Sequence, residues 1–344
     1  MSTTLLKNPA SIISAEPGPS ESGEGDDLVD EAQPTEHRHM IVAPTTHGAR
    51  LDKALVQALP EFSRSYLQQL IEGGAVDVNG LAVVRPSARL KAGDSVGVCL
   101  RPTAQSQAFK AQAMDLRVVF EDAHLLVIDK PAGLVVHPAP GNWSGTLLNG
   151  LLAYHSDFAE LPRAGIVHRL DKDTSGLMLV ARTRQSMDTL VQMIAARSVQ
   201  RQYLALVHRP WSGPKLREVQ AAIGRDPRNR LRMAAVDPGR DSGKAARTSV
   251  EVLQECAQGC LVRCTLHTGR THQIRVHMAH TGHPLVADGV YGGVPAAGLV
   301  RQALHAFRLA LPHPASGAPL EFVSALPPDL ANGLAQWGLR YNSV

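Results

Sequence analysis

Apolar positions first recur with a regular period just after Arg50. Leu51, Ala54, Leu55, Ala58 and Leu59 fall at three- and four-residue steps and Pro60 follows, which predicts a short helix with a stop. Ser63 is placed to cap a second helix that carries Leu67, Leu70 and Ile71 on its inner face and ends at Gly73 and Gly74. The period then switches to alternation. Val76 and Val78 lead into Asn79-Gly80, a strong hairpin signal, and Gly93-Asp94 marks a further turn before Val96 and Val98. A second region opens with Val118, Val119 and Phe120, the acidic turn Glu121-Asp122, and a strand over Leu125 to Ile128. Gly145 to Leu152 reads as the start of a helix. Met187, Leu190, Val191 and Ile194 predict an amphipathic helix between Thr183 and Arg197 with all four side chains on the core, and Arg201 to Val207 reads as a strand.

Between these elements lies the stretch HRLDKDTSGLMLVAR, His168 to Arg182. Two short apolar runs, Ala164 to Val167 and Leu177 to Ala181, flank a polar segment that ends in the turn formers Asp173, Thr174, Ser175 and Gly176. Such runs predict two buried strands with the polar segment as a loop at the sheet's end, the kind of place where rigid strands hold catalytic groups. By pattern alone Asp171 is equally a turn former or half of an ion pair with a neighbouring Arg.

Composition and short motifs change the picture further. Residues 1 to 40 are rich in Ser, Gly, Pro and Glu and carry a charge of −6, which predicts a disordered acidic tail and leaves +10 on the rest of a chain whose net charge is +4. A basic body suits a polyanionic partner. No apolar run reaches the roughly 20 residues of a membrane span, and the N-terminus lacks a secretory pattern, so a cytoplasmic protein without membrane attachment is expected. Cys256, Cys260 and Cys264 repeat every fourth residue and are expected to form a reduced, buried stripe on one face of a strand, since no CxxC pair is present. His267 to His283 carries five histidines, but without HExxH or zinc-finger spacing no metal site is expected. GRDSGKA, residues 239 to 245, is too short between its glycines for a P-loop and no Ser or Thr follows its Lys, so no nucleotide cofactor is expected.

HRLDKDTSG resembles the central motif of the RluA family of RNA pseudouridine synthases. DKPAGLVVHP at Asp129 to Pro138, RQYLA at Arg201 to Ala205, and HTGRTHQIRVHMAHTGHPLVADGVYGG from His267 agree with the family in order. RLDKAL, SRSYLQQLIEGGAVDVNG and LKAGDSV resemble the RNA-binding domain first named for small-subunit ribosomal protein S-four. The resemblance covers residues 45 to 335 and is greatest to the family's bacterial branch acting on large-subunit ribosomal RNA. It implies an α+β fold, a mixed, mainly antiparallel sheet with flanking helices, preceded by a small N-terminal α/β RNA-binding domain. The expected divisions are a tail at 1–40, the RNA-binding domain at 48–101, a linker at 102–113 and the catalytic domain at 114–335.

The resemblance also implies roles. Asp171 is the catalytic carboxylate, Arg275 its basic partner, and Tyr203 the aromatic against the target base. Arg169 would help flip the target nucleotide, and His168, Arg270 and His272 would lie near the RNA. Arg50, Lys53, Arg64 and Arg89 would contact phosphates. Apart from the resemblance, the seven Arg and two Lys of residues 213–247 mark that insertion as a further candidate RNA surface. The implied partner is ribosomal RNA of the large subunit, bound by a monomer without cofactor. The implied reaction moves a uracil from nitrogen to carbon attachment on its ribose, with the carboxylate as nucleophile or base. Burial opposes a charged carboxylate and a close guanidinium supports it, so Arg275 is required rather than accessory. The same reaction on transfer RNA or another ribosomal site, a non-catalytic ribosome-assembly protein, and a glycosidase using Asp171 are the competing expectations. The last lacks the usual paired carboxylates.

Overall fold

A computed structural model describes residues 36–101, 108–229, 232–237, 239 and 242–341. Residues 1–35 of the expected tail lie outside this set. The chain divides into two units, residues 1–101 and 102–344, and each is described by itself.

In the first unit the strands are β1 (Glu36–Ile41), β2 (Val76–Val78), β3 (Leu81–Ala82) and β4 (Ser95–Leu100), in sheet order β1-β4-β2-β3, with helices α1 (Leu51–Ala58) and α2 (Arg64–Glu72). Residues 36–40, placed by composition in the tail, instead form β1 and pair antiparallel with β4 from Glu36↔Leu100 onward. The local signals around the helices act as their chemistry dictates. Ser63 Oγ accepts the Tyr66 N–H at 3.3 Å, and Asn79 and Gly80 adopt φ of 53° and 77°, the left-handed pair a tight hairpin turn demands. Leu51, Leu55, Leu67, Leu70 and Ile71 meet Val76, Val96 and Val98 in one core.

The second unit is organised on a nine-stranded sheet. Its strands are β5 (Val118–Glu121), β6 (Leu125–Lys130), β7 (Ser175–Ala181), β8 (Gln200–His208), β9 (Leu216–Gln220), β13 (Arg247–Glu255), β14 (Gly259–Leu266), β15 (Leu304–Pro312) and β16 (Pro319–Val323). A separate three-stranded sheet holds β10 (Ile223–Arg225), β11 (Met233–Ala235) and β12 (Gly243–Lys244). The helices are α3 (Leu147–Tyr154), α4 (Arg184–Ala195), α5 (Gln273–His280) and α6 (Pro328–Gln336). The large sheet runs β5-β6-β7-β15-β8-β14-β13-β9, with β16 added to β15. Among the described strands only β7 and β15 pair in parallel, through His305↔Ser175 and Ala306↔Gly176. This is the mixed, mainly antiparallel α+β arrangement expected. Among the described residues, no helix is long and apolar enough to cross a membrane.

Both faces of the central strands are buried, which explains their nearly continuous apolar runs. Leu126, Ile128, Met178, Val180, Tyr203, Ala205, Val262 and Cys264 face one core with α3 and α5. Leu125, Val127, Leu177, Leu179 and Leu190 of α4 face another, and Leu204, Leu206 and Leu261 pack with Leu330 and Leu334 of α6. Gly176 sits where β7 and β15 meet, with φ of 114° and a Cβ position only 2.2 Å from the Ala306 carbonyl oxygen, so no side chain fits there.

Several expectations are corrected. Ala164 to Val167 is not a strand. Pro162–Gly165 is a 3-10 turn with Arg163 and Ala164 in the left-handed region, and a single bridge joins Ile166 to Val180. The run is apolar because Ala164 and Ile166 are buried in the core, and Pro162 and Gly165 break its extension. Val191 is 46% exposed, so α4 packs through Met187, Leu190 and Ile194 without it. Cys260 and Cys264 are buried in β14, but Cys256 lies before that strand and is only half-buried. Residues 102–107 of the polar linker lie outside the described set, while Ala108 is buried and its carbonyl accepts the Asn149 side chain of α3. The chain also stays packed past residue 335, where Leu339 and Tyr341 join the α6 core.

Candidate active site

The loop after Ile166 returns to the sheet through Ser175, and the segment before α5 approaches it from the end of β14. Between them opens a cleft of about 660 Å³, lined among others by Arg169, Asp171, Tyr203, Arg270, His272 and Arg275. The Asp171 side chain is 18% exposed. Buried donors hold its loop. Lys130 Nζ donates to the carbonyls of Pro131, Leu134 and Lys172 at 2.8, 2.9 and 2.9 Å, and burial pulls that ammonium down to about 8. Arg301 donates to the Asp173 carbonyl at 2.8 Å and pairs with Asp329 at 2.6 Å.

Arg275 and Asp171, 104 residues apart in the chain, meet through Arg275 Nη1 donating to Asp171 Oδ2 at 3.2 Å. The primary partner of this guanidinium is Asp288, whose two oxygens accept from Nε at 2.7 Å and Nη2 at 2.8 Å. Such a two-pronged pair fixes the guanidinium plane. Burial works against the Arg275 charge, yet the Asp288 hydrogen bond and the charges of Asp288 and Asp171 outweigh it and raise its pKa. The Tyr291 ring lies 5.0 Å from the guanidinium carbon, within cation–π range. Asp288 and Tyr291 belong to the quoted stretch ADGVYGG but were not singled out from sequence. Their signal was an acid and an aromatic inside an otherwise small-residue loop.

Tyr203 is buried on the α5 face of the sheet, opposite Cys264 of β14. Burial pushes its phenol up to about 12, so it remains protonated at neutral pH. His272 starts α5 from a left-handed backbone conformation, φ 56°, with Nδ1 2.8 Å from Tyr291 Oη and Nε2 3.8 Å from Asp171 Oδ1. Arg169 is exposed on the cleft, and no hydrogen bond or ion pair to it is found among the described residues. Arg270 is exposed too, with Nε on the Ala245 carbonyl at 3.2 Å. His168 does not present its ring to the cleft in the same way. Its Nε2 accepts the Leu179 N–H at 2.9 Å, which ties the loop to β7, and burial draws its pKa down to about 3. Arg163, Arg197 and Arg201 also line the cleft and were not foreseen as site residues.

The four basic residues proposed from the first unit behave differently from one another. Arg50 Nε and Arg64 Nη2 donate to opposite oxygens of Asp52 at 2.9 and 2.7 Å, and Asp52 is completely buried. Lys53 points to solvent. Arg89 donates to the Gly48 carbonyl at 2.7 Å. Hydrogen bonding from Arg50, with help from Arg64 and Gln68, overcomes burial and holds the Asp52 carboxyl well below the usual 3.8. A depressed folded-state pKa contributes stability above the unfolded value, lost as pH falls toward the folded one. Hydrogen-exchange protection of α1 and α2 is therefore expected to weaken between about pH 4 and about pH 2 in the native chain, and to be weaker but flatter across that window in Asp52→Asn. Identical slopes would contradict the pairing. In the insertion at 213–247, Arg232 is committed to Asp226 at 2.6 Å, and Arg230 and Arg240 lie outside the described residues.

A family model described as RNA pseudouridylate synthase matches residues 124–280, and one described as S4 domain matches residues 49–96. Similar chains include the "Ribosomal large subunit pseudouridine synthase D" of Nitrosomonas europaea, 45% identical over 93% of this chain and 94% of that one. The protein of the same name from Pseudomonas aeruginosa is 47% identical over 82% of this chain and 90% of its own. Among solved structures, "Human RNA Pseudouridylate Synthase Domain Containing 4" superposes with a TM-score of 0.53 at 26% identity, covering 66% of this chain and 95% of that one.

Proposed function

The chain belongs to the RNA pseudouridylate synthase family, and from that premise we propose that it isomerises uridines of large-subunit ribosomal RNA to pseudouridine with Asp171 as the reacting carboxylate. The observation that carries this reading is a carboxylate in an arginine-lined cleft, touched at 3.2 Å by a guanidinium that Asp288 holds rigid, with a buried tyrosine in the same cleft.

Pseudouridine formation breaks the bond between ribose carbon 1 and base nitrogen 1 and makes one to base carbon 5. The proton on carbon 5 leaves and nitrogen 1 gains one, so nothing is oxidised or hydrolysed. Asp171 serves as the nucleophile or as the base that takes a ribose proton, and either route needs a fixed carboxylate screened from bulk water. Tyr203 flanks the turning uracil, and its neutral hydroxyl donates a hydrogen bond or relays a proton. A stacked uridine must first be extruded, at a cost of a few kcal/mol. Arg169 fills the vacated position, while Arg270 and the partly exposed Arg50, Arg64 and Lys53 meet phosphates, which orient the RNA without reading its sequence. In this reading the protein acts on ribosomal RNA as a monomer in the cytoplasm and uses no cofactor. The test is a pseudouridine map of all stable RNAs from cells with and without the protein. Loss confined to large-subunit ribosomal RNA is expected; loss confined to transfer RNA, or no loss, would contradict the proposal.

A further inference from the structure

The His272 ring is held in an uncommon way. Its residue has a left-handed backbone without being glycine, a conformation kept only when the surroundings impose it. Nδ1 faces the Tyr291 hydroxyl at 2.8 Å, and the same hydroxyl oxygen accepts the Met233 N–H of β11 at 3.2 Å. On the other side, Nε2 lies 3.8 Å from Asp171 Oδ1.

These contacts select one proton arrangement. Were the imidazole hydrogen on Nδ1, the Tyr291 oxygen would accept two hydrogen bonds while its own hydrogen found no acceptor among the described residues. The bare Nε2 lone pair would also face a carboxylate oxygen. With the hydrogen on Nε2, Tyr291 donates to Nδ1, Met233 donates to Tyr291, and the Nε2–H points at Asp171. Each donor then has an acceptor ahead of it. Burial lowers the pKa of the ring despite the pull of Asp171, in keeping with a neutral imidazole.

We infer that Tyr291 is a positioning residue that fixes His272 as its Nε2–H tautomer, so that Asp171 is steered at Oδ1 by His272 as it is at Oδ2 by Arg275. The distance of 3.8 Å is just outside hydrogen-bond reach, and it closes when RNA fills the cleft, as catalytic contacts commonly tighten on substrate binding. Met233 makes the small β10-β11-β12 sheet part of this support. The chain of contacts runs from a backbone N–H through a phenol and an imidazole to the reacting carboxylate.

The inference rests on the assignment of Asp171 as catalytic, and its test is separable from that assignment. Nitrogen-15 spectra of the histidine rings in the full-length protein, with His272 identified by its loss in His272→Gln, report which nitrogen carries hydrogen. The native protein is expected to show His272 protonated on Nε2, and Tyr291→Phe, which keeps the ring over Arg275, to show a mixture or the Nδ1–H form. In single-turnover assays Tyr291→Phe is expected to lose about tenfold to a hundredfold in rate, the scale of a small misplacement at a reacting centre, with RNA affinity unchanged. His272→Gln, whose amide N–H reaches toward the same place as Nε2–H, is expected to retain more activity than His272→Ala. A native Nδ1–H tautomer, a tautomer unchanged in Tyr291→Phe, or equal activities for the Gln and Ala variants would overturn the inference while Asp171→Asn still abolished turnover. Turnover surviving in Asp171→Asn would remove the underlying assignment instead.

Discussion

Asp171→Asn is expected to lower the rate of pseudouridine formation by about 10⁴-fold or more, the scale on which removal of an essential reacting group acts. The substitution is nearly isosteric and the side chain is partly exposed, so the change in stability should stay within about 1 kcal/mol. RNA affinity should hardly move, because it is dominated by phosphate contacts with the basic surface. Single-turnover release of tritium from RNA labelled at uracil carbon 5, measured beside filter binding of the same RNA, separates the two effects. A parallel loss of affinity and rate would make Asp171 a binding residue.

Replacement of Arg275 reaches both stability and chemistry. Its side chain is 6% exposed and that of Asp288 is 1% exposed, so Arg275→Met leaves a buried carboxylate without its paired donor. Breaking one side of such a pair costs about 3–5 kcal/mol, a large share of the roughly 5–15 kcal/mol that holds a typical protein together. The second variant that makes this informative is Arg275→Met with Asp288→Asn. Removing the stranded charge should return much of the stability, as read from the denaturant midpoint, but should return no activity, since Asp171 still lacks its guanidinium. Recovery of both would mean that Arg275 acts only through the fold.

Local chemistry made much of the fold legible. The Ser63 cap, the Asn79-Gly80 turn, the Thr183 start of α4 and the apolar runs of strands β6 and β8 need little beyond neighbouring residues. Ala164 to Val167 misled because a short apolar run looks the same in a buried strand and in a buried turn, and only Pro162 and Gly165 hinted at the turn. Residues 36–40 misled because β1 is exposed along nearly its whole length, so no apolar alternation marks it. At the site, the contact between Asp171 and Arg275 was legible through motif resemblance, not through spacing, since nothing local links positions 104 residues apart. Asp288, Tyr291 and Asp52 were missed for a common reason. Each is a polar group whose importance lies in its contact with particular partners, and such contacts exist only once separate segments have met.

The central claim is that the uracil stays in the cleft, beside Asp171 and Tyr203, from bond breaking to bond making. The most direct test follows one reaction of the native protein on large-subunit ribosomal RNA lacking pseudouridine and labelled at uracil carbon 5, counting released tritium, pseudouridine and free uracil together. Tritium and pseudouridine should rise in equal amounts with no free uracil; free uracil, or tritium without pseudouridine, would contradict the account.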